Sequence, residues 1–362
     1  MLKTLNEINS PEVYNMPFID FTAIVREAWM AYDCTREIAR IVDISVMVST
    51  NHVYRITFTD GNFIIAKLSY FGAYEHFVED HSIIDTLSNN LPAPFENFLA
   101  RSLAKGKFLF VYRFQDAVLD AWVVFYRPIA IKKRLPKRLE EFQIIKLAEQ
   151  IAHFHKACHY TRNTLPPSSK TLKTDIDHLL GILETDYGRY EHRMHTDQIK
   201  QQSDLFLNNT EKLKESEFDK IPVFIDWNIG NFSVTSNLRL YSRWDYDWFR
   251  MGSRILDFYF LSRVVSDIGD RTAFSYYISP LMEERFLLFL KAYHNVYPLT
   301  EPEIRFMKEA YRFFILNYVI KDGRFFFHEI FATKLQKEAF DIYLPSVDKQ
   351  FNADVILKAL NI

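Results

Sequence analysis

The sequence predicts an α+β protein in which a small antiparallel sheet lobe precedes a mainly helical lobe. Apolar runs of strand length occur at 44–48, 52–58, 63–68 and 108–113. From residue 140 onward, apolar residues recur at helical spacing, apart from short strand-like runs around 223–244. This order of elements indicates two lobes.

The first 41 residues are predicted to form a helical extension. Residues 20–41 are helix-compatible, and one side of that helix is apolar: Phe21, Ile24, Val25, Ala28, Trp29 and Tyr32. We assign 42–115, with a helix at 74–88, to the sheet lobe and 116–362 to the helical lobe. Two late helices are expected at about 281–297 and 301–321, and the polar stretch at 195–220 is expected to be a long connection or insertion.

Composition limits the classes of partner and compartment. The 362 residues are 48% apolar and 25% charged, as is typical of a globular protein with a sizeable core. A formal net charge of −2 gives no general attraction to nucleic acid or anionic membrane, so neither partner is expected. No signal-peptide pattern and no run of about 18 apolar residues occur. With only Cys34 and Cys158, a cytoplasmic protein is expected, and a homodimer is possible.

Two acids and an amide occur in an order that suits phosphoryl transfer. In the run Asp226-Trp-Asn-Ile-Gly-Asn231 an Asn follows an Asp by five residues. In kinase catalytic loops this spacing pairs a base for the attacking hydroxyl with a Mg²⁺ ligand, and an Asp on a following strand holds the metal. We expect Asp226 to be the catalytic base and Asn231 and Asp245 to be metal ligands.

The segment from Asp226 to Asp257 resembles the aminoglycoside phosphotransferase and choline kinase family. The family's pattern is His-Gly-Asp-x-x-x-x-Asn, then Ile-Asp-(Trp/Phe/Tyr)-(Glu/Asp), with a Gly seven residues on and an Asp five residues later. Five residues fit this pattern in one register: Asp226, Asn231, Asp245, Gly252 and Asp257. The resemblance covers roughly residues 45–325. It implies a protein-kinase-like bilobal fold, with Asp257 as a buried brace of the catalytic loop.

The resemblance extends into the sheet lobe. The run Ser49-Thr-Asn-His-Val-Tyr54 is similar to the family's Ser-Asn-x-Val-Tyr, so Ser49 and Thr50 are expected to contact the nucleotide phosphates. Lys67 ends the apolar strand Phe63-Ile-Ile-Ala-Lys67, as expected for the Lys that pairs with the α- and β-phosphates.

The remaining nucleotide contacts are also expectations from the resemblance. An acid on the helix at 74–88 should orient Lys67. Register favours Asp80 and residue type favours Glu79, so both are candidates. The strand at 108–113 is expected to end at the hinge, where backbone groups from Tyr112 onward face the adenine and Phe114 covers its ring.

The loop departs from the family's pattern at two positions. Phe224 has the place of the His, and Ile225 has the place of the Gly. Because that His braces the loop by hydrogen bonding and is not the base, its loss affects loop geometry first. The phosphate loop at 45–51 contains no Gly. A catalytically impaired nucleotide-binding pseudokinase or interaction module is therefore the alternative.

The resemblance implies an enzyme that moves the γ-phosphoryl group of ATP, or less readily GTP, with Mg²⁺, to a hydroxyl of a small soluble metabolite. Rings near the loop could form the acceptor pocket: Trp227, Trp248 and Phe249. Such rings beside acids suit a choline-like ammonium. Acids alone suit an amino sugar or aminoglycoside, and a homoserine-like acceptor is also open. Asp247 is a candidate for assisting the metal or binding a cationic substrate.

Overall fold

The first described element is a helix that is shorter than predicted. The computed structural model describes residues 19–46, 51–268 and 274–362. Helix α1 spans Phe21–Tyr32, and the Asp20 side chain caps it by accepting from the Ala23 N–H at 3.1 Å. The chain is already extended at residue 38, so the predicted helix over 20–41 ends early.

A five-stranded antiparallel sheet follows. Its order is β1 (Ile38–Asp43), β2 (His52–Phe58), β3 (Phe63–Ser69), β7 (Asp120–Tyr126) and β6 (Val111–Gln115). The first strand therefore precedes the predicted strand at 44–48, of which residues 47 and 48 lie outside the described part. Strands β1 and β7 both extend beyond the 42–115 range expected for the sheet lobe.

Alternation along the strands gives the sheet two different faces. On the outer face, Ile64, Ala66 and Leu68 of β3 pack with Val25 and Trp29 of α1 in one buried cluster. The residue between the last two, Lys67, consequently points to the opposite, inner face. Helix α2 (Tyr74–Asn90) packs on that inner side with the rest of the molecule.

The chain leaves the sheet at Tyr126. Two short strands, β4 (Ala104–Lys105) and β5 (Phe108–Leu109), form a separate hairpin. Strand β6 then turns back into β7, which pairs with both β6 and β3. The strand at 108–113 is therefore not the last strand of the sheet, because β7 adds a further strand before the helical part begins.

The remainder is mostly helical. Its helices are α3 (Glu141–Thr161), α4 (Leu172–Ile182), α5 (Asp186–Glu191), α6 (Thr196–Lys212), α7 (Phe258–Val265), α8 (Glu284–Val296), α9 (Glu301–Phe314), α10 (Gly323–Phe326), α11 (Glu329–Glu338), α12 (Leu344–Gln350) and α13 (Ala353–Leu360). A π-helical segment, Ile315–Lys321, continues α9. The two predicted late helices are confirmed as α8 and α9. The polar stretch at 195–220 is mainly helix α6, in which Ile199 and Phe206 are buried, so its prediction as a connection was wrong.

Two small antiparallel pairs interrupt the helices. Strand β8 (Ile221–Val223) pairs with β11 (Arg250–Gly252), and β9 (Phe232–Val234) pairs with β10 (Leu240–Arg243). The predicted catalytic segments are the connections between these strands. In the described part of the chain, every helix is too short or too polar to cross a bilayer.

Candidate active site

The β9–β10 hairpin brings the two predicted metal ligands close together. Phe232 pairs with Arg243 in the ladder, so Asn231 and Trp244 lie directly beyond the same end. The Trp244 N–H donates to the Asn231 carbonyl at 3.0 Å. Asp245 is the next residue, and its φ of +67° is in the left-handed region. Because this conformation is uncommon outside Gly, it indicates that the surrounding structure holds the Asp in a set orientation.

The predicted base lies in the connection from β8 to β9. One carboxylate oxygen of Asp226 accepts from the Asn231 side-chain amide at 2.9 Å, and the other accepts from the Asn228 N–H at 3.2 Å. Asp226 is half-buried. The structure thus brings Asp226, Asn231 and Asp245 to one edge of the two small strand pairs.

A buried carboxylate braces this connection from below. One oxygen of Asp257 accepts from the Phe224 and Ile225 N–H groups at 2.9 and 2.6 Å. Its other oxygen lies 3.0 Å from His155 Nε2, and His155 Nδ1 lies 2.8 Å from the Tyr293 hydroxyl. Asp257 and His155 are fully buried. This network has the bracing role that the resemblance implies for Asp257.

Lys67 of the sheet reaches the same edge from the opposite lobe. Its ammonium lies 3.0 Å from Asp245 Oδ1 and also donates to Asp247. Burial opposes ionisation of Asp245, but Lys67 outweighs it and holds the pKa of Asp245 below its usual range. Burial, partly offset by Lys67 and reinforced by the charge of Asp245, raises the pKa of Asp247 to about 6. The side chain of Asp245 nevertheless stays 39% exposed, so it is accessible to a cation or a phosphate.

Two polar residues that the sequence did not single out complete this contact. Asn51 is buried, and its side-chain amide donates to Asp247. The Ser69 hydroxyl donates to the Asn51 carbonyl oxygen at 3.0 Å. Asn51 belongs to the Ser49-Thr-Asn run, so its place beside Thr50 could have indicated from the sequence that it lies at the site. Ser69 shares the inner face of β3 with Lys67, two residues away, and that alternation was its signal.

The structure does not bring either predicted helix acid to Lys67. Glu79 Oε1 accepts from the Ser168 hydroxyl and the Ser169 N–H at 2.7 and 2.8 Å. Asp80 instead forms an ion pair with Lys170. Both predicted acids are therefore occupied by the segment between α3 and α4, and Asp245 and Asp247 supply the partners of Lys67.

The predicted adenine contacts also lie elsewhere. Tyr112 and Phe114 are on β6 and pack with the outer-face cluster, and the Tyr112 hydroxyl donates to Glu27 of α1. They point away from the face that carries Lys67, because side chains of a strand alternate between the two faces. Ser49 and Thr50 fall outside the described residues.

The expected aromatic pocket is part of the core. Trp227 and Phe249 are 0% and 1% exposed, and Trp248 is 6% exposed among five other rings. Rings packed in this way stabilise the loop from below and offer little surface to a ligand, so the prediction of a Trp227, Trp248 and Phe249 pocket was wrong.

The fold of most of this chain is similar to that of solved small-molecule kinases. An aminopropanol kinase associated with a microcompartment matches with a TM-score of 0.61 and 17% identity, over 92% of this chain and 99% of that one. Amicoumacin kinase hAmiN, solved with AMP-PNP, Ca²⁺ and Ami, matches with a TM-score of 0.60 and 13% identity, over 93% and 97%. Choline kinase LicA from Streptococcus pneumoniae matches with a TM-score of 0.53 and 15% identity, over 88% and 97%.

Comparison at the level of sequence gives no match. No protein-family model and no curated protein sequence matches this chain. The likeness is therefore one of fold, and it covers both the sheet and the helical part. This chain has the protein-kinase-like bilobal fold that these small-molecule kinases share.

Proposed function

We propose that this protein is a small-molecule kinase that transfers the γ-phosphoryl group of ATP to a hydroxyl of a soluble metabolite. The acceptor oxygen would form a bond to the γ-phosphorus while the bond to the β–γ bridging oxygen breaks and ADP leaves. Asp226 would take or position the hydroxyl proton, and Lys67 would orient the phosphates.

One observation carries the proposal. Lys67 of the sheet lobe and Asp245 of the helical lobe are distant in sequence, yet their side chains are 3.0 Å apart. The Asp226–Asn231 hydrogen bond lies at the adjoining hairpin end. Because phosphoryl transfer depends mainly on positioning and electrostatics, a cation, two carboxylates and an amide at one cleft are the side chains that it requires.

The donor set suits a hard divalent cation. Asn231 donates its amide N–H to Asp226, which orients the amide oxygen as the atom that would bind the ion. Asp245 would supply a carboxylate oxygen. Mg²⁺ is commonly held by one or two such oxygen ligands together with substrate phosphates. When bound, the ion would neutralise charge that develops on the phosphoryl oxygens.

The nucleotide site follows the last strand of the sheet. Since β7 ends at Tyr126, we place the adenine-facing backbone in the segment directly after it, at about 127–130, and not at 112–115. ATP is the proposed donor and GTP the less favoured one. With Cys34 and Cys158 both free, a reducing cytoplasm is the proposed compartment.

The proposed acceptor is a small hydroxylated metabolite. The similar structures are described as kinases of aminopropanol, amicoumacin and choline. Choline-like compounds, amino sugars or aminoglycosides, and homoserine-like compounds are therefore the acceptors to assay. The burial of the Trp227, Trp248 and Phe249 rings removes the argument that favoured a choline-like ammonium among them.

A second candidate function has its own observation. Lys67 has no partner acid on α2 within the described residues, and Ile225 has a φ of +60° where the related pattern has Gly. These features would suit a pseudokinase, which would bind Mg²⁺-ATP but phosphorylate no acceptor.

Thermal unfolding with and without Mg²⁺-ATP tests the nucleotide site. A ligand at about 100 times its Kd adds roughly 2.7 kcal/mol to the free energy of unfolding. We expect the wild type to gain several degrees in Tm, and we expect Asp245→Ala to lose most of this gain because it removes a metal ligand.

The matched control is Asp177→Ala, which removes an exposed carboxylate on α4 that forms an ion pair with Lys173. It should keep the full nucleotide effect. An equal gain in Asp245→Ala and the wild type would contradict the metal assignment. A Mg²⁺-dependent gain without phosphate transfer to any acceptor would favour the pseudokinase.

A further inference from the structure

Arg243 is a fully buried arginine directly beneath the candidate catalytic loop. It is the last residue of β10, two residues before Asp245, and its exposed fraction is 0%. The backbone at this position is fixed on both sides, because the Arg243 N–H donates to the Phe98 carbonyl at 2.6 Å and the Ala100 N–H donates to the Arg243 carbonyl at 2.9 Å. The Arg243 side chain is thus attached to a backbone position that is held in place.

The guanidinium contacts the loop in two ways. Its Nη2 donates to the backbone carbonyl of Asp226 at 2.9 Å. Its central carbon lies 4.6 Å from the ring centre of Phe224 and 4.4 Å from that of Trp227. These two rings are nearly perpendicular, at 82°, so they form a corner around the cation. Arg243 therefore contacts the loop two residues before, at and one residue after the candidate base.

The burial of this arginine is energetically unfavourable compared with an apolar core residue. Among the described residues, Arg243 forms no salt bridge, and its Nε and Nη1 lack hydrogen-bond partners. Burying a cation without a counter-charge is unfavourable, and cation–π contacts offset only part of that cost. An apolar side chain of similar volume would stabilise such a site at least as well. The buried charge is thus better explained by the loop that it holds than by global stability.

The positive charge of Arg243 lies close to the carboxylates of the site. Asp226, Asp245 and Asp257 all lie near enough to Arg243 to interact with its charge. Lys67 also reaches this site, but it comes from the opposite lobe. Arg243 is a cation contributed by the same strand pair as the loop, and its backbone is also held by Phe98 and Ala100.

We propose that Arg243 is a positioning residue that fixes the Asp226 peptide and thereby aims the Asp226 carboxylate. The Phe224 side chain, which has no hydrogen-bonding group, provides a ring face for the guanidinium, and Arg243 donates the hydrogen bond to the Asp226 carbonyl. The expected effect of Arg243 on catalysis rests on the proposed kinase function. Its expected effect on the order of the loop does not.

Replacement by Met tests the proposal. Arg243→Met keeps most of the side-chain volume and removes the charge and the donor. Loss of groups that orient a catalytic residue typically costs about 10–100-fold in activity. We expect kcat to fall by about that factor, with KM for ATP changed by less than about threefold, because the nucleotide contacts are left in place.

Two further variants separate positioning from stability. Arg243→Lys keeps the charge but loses the planar guanidinium, so it should recover part of the lost kcat and should fold if Met does not. Arg312→Met removes an equally buried arginine, which pairs with Glu309 and Asp348 in the helical lobe. It should lower Tm at least as much as Arg243→Met and leave kcat unchanged.

Hydrogen exchange of the unliganded protein supplies a readout without activity. Amides of residues 224–231 should exchange faster in Arg243→Met than in the wild type, and Arg312→Met should not accelerate them. If no acceptor is phosphorylated by the wild type, the kinase proposal fails and this exchange alone decides. Unchanged loop exchange, or a kcat within threefold of wild type in Arg243→Met, would overturn the role of Arg243.

Discussion

Single residues around Asp226 show how far motif spacing can predict a site. Asp226, Asn231 and Asp245 were found by spacing and Asp257 by the family resemblance, and the structure brings them together. Ile225 shows what spacing misses, because this β-branched residue adopts a φ of +60° where Gly would be expected. Asp257 accepts from the N–H groups of both Phe224 and Ile225 and so holds Ile225 in this left-handed conformation.

Arg243 was missed for a different physical reason. Its strand, Leu240-Tyr-Ser-Arg243, resembles an ordinary alternating strand, and nothing local indicates that the Arg is buried. Burial depends on Phe224 and Trp227, which approach from another segment. Contacts of this kind are set by tertiary packing and are not visible in local pattern.

The Asp257 network predicts a large difference between two substitutions. Asp257→Ala leaves two backbone N–H groups and His155 without their acceptor, and each buried unsatisfied group costs about 1–3 kcal/mol. We expect a loss of about 3–5 kcal/mol in the free energy of unfolding, measured by urea denaturation. Asp257→Asn keeps one oxygen for the two N–H groups and should lose about half as much. Equal losses would show that the network needs the complete carboxylate and that a single acceptor oxygen is not enough.

At the scale of elements, the bounds of helix α2 were predicted well, but the segment against which its acids pack was not predicted. Its range of 74–90 is close to the predicted 74–88. Its acids contact the 168–170 segment, which is more than 80 residues away in sequence and has no pattern that indicates where it packs. Similarly, β7 lacks the polar alternation of a half-exposed strand, because it is buried on both faces. The sequence prediction therefore ended the sheet at 113 and omitted β7.

The ion pair between Asp80 of α2 and Lys170 predicts that the stability of the protein depends on pH. Burial, partly offset by Lys170, raises the pKa of Asp80 to about 6. The unfolded value is about 3.9, so the native state binds this proton more tightly. Asp80 therefore contributes stability that is fully present below about pH 4 and is lost as pH rises through 6. A shift of about two pKa units corresponds to about 3 kcal/mol.

Denaturation of Asp80→Asn at several pH values measures this effect. The stability of the wild type relative to Asp80→Asn should decline between pH 4 and 6 and then stay constant. Glu75→Gln, which changes an exposed acid on the same helix, is the control and should show no such decline. A difference that rises over this interval would contradict the raised pKa of Asp80.

At the scale of the whole molecule, the two faces of the sheet have separate tasks. The outer face holds α1 through Trp29, which is 2% exposed and packs against Phe58 and Phe125. The inner face presents Lys67 to Asp245 and Asp247. This division predicts that the outer face can be weakened without changing the affinity for nucleotide.

Trp29→Ala tests that separation. Removing a large buried ring typically costs about 3–5 kcal/mol, so calorimetry should show a clearly lower Tm. The gain in stability from Mg²⁺-ATP at a fixed concentration should equal that of the wild type. Trp29→Phe keeps a ring and should be milder. A loss of the nucleotide effect in Trp29→Ala would mean that α1 supports the cleft through the sheet.

The edge of the sheet has a consequence for how the protein behaves at high concentration. Among the described strands, β1 pairs only with β2, and the register between them is irregular at Ile38–Arg40. An edge strand with free backbone groups can recruit a strand from another molecule, and a local irregularity and charged side chains oppose this. Arg40 and Asp43 are exposed on β1. The irregular, charged edge should therefore protect the concentrated protein from strand-mediated aggregation.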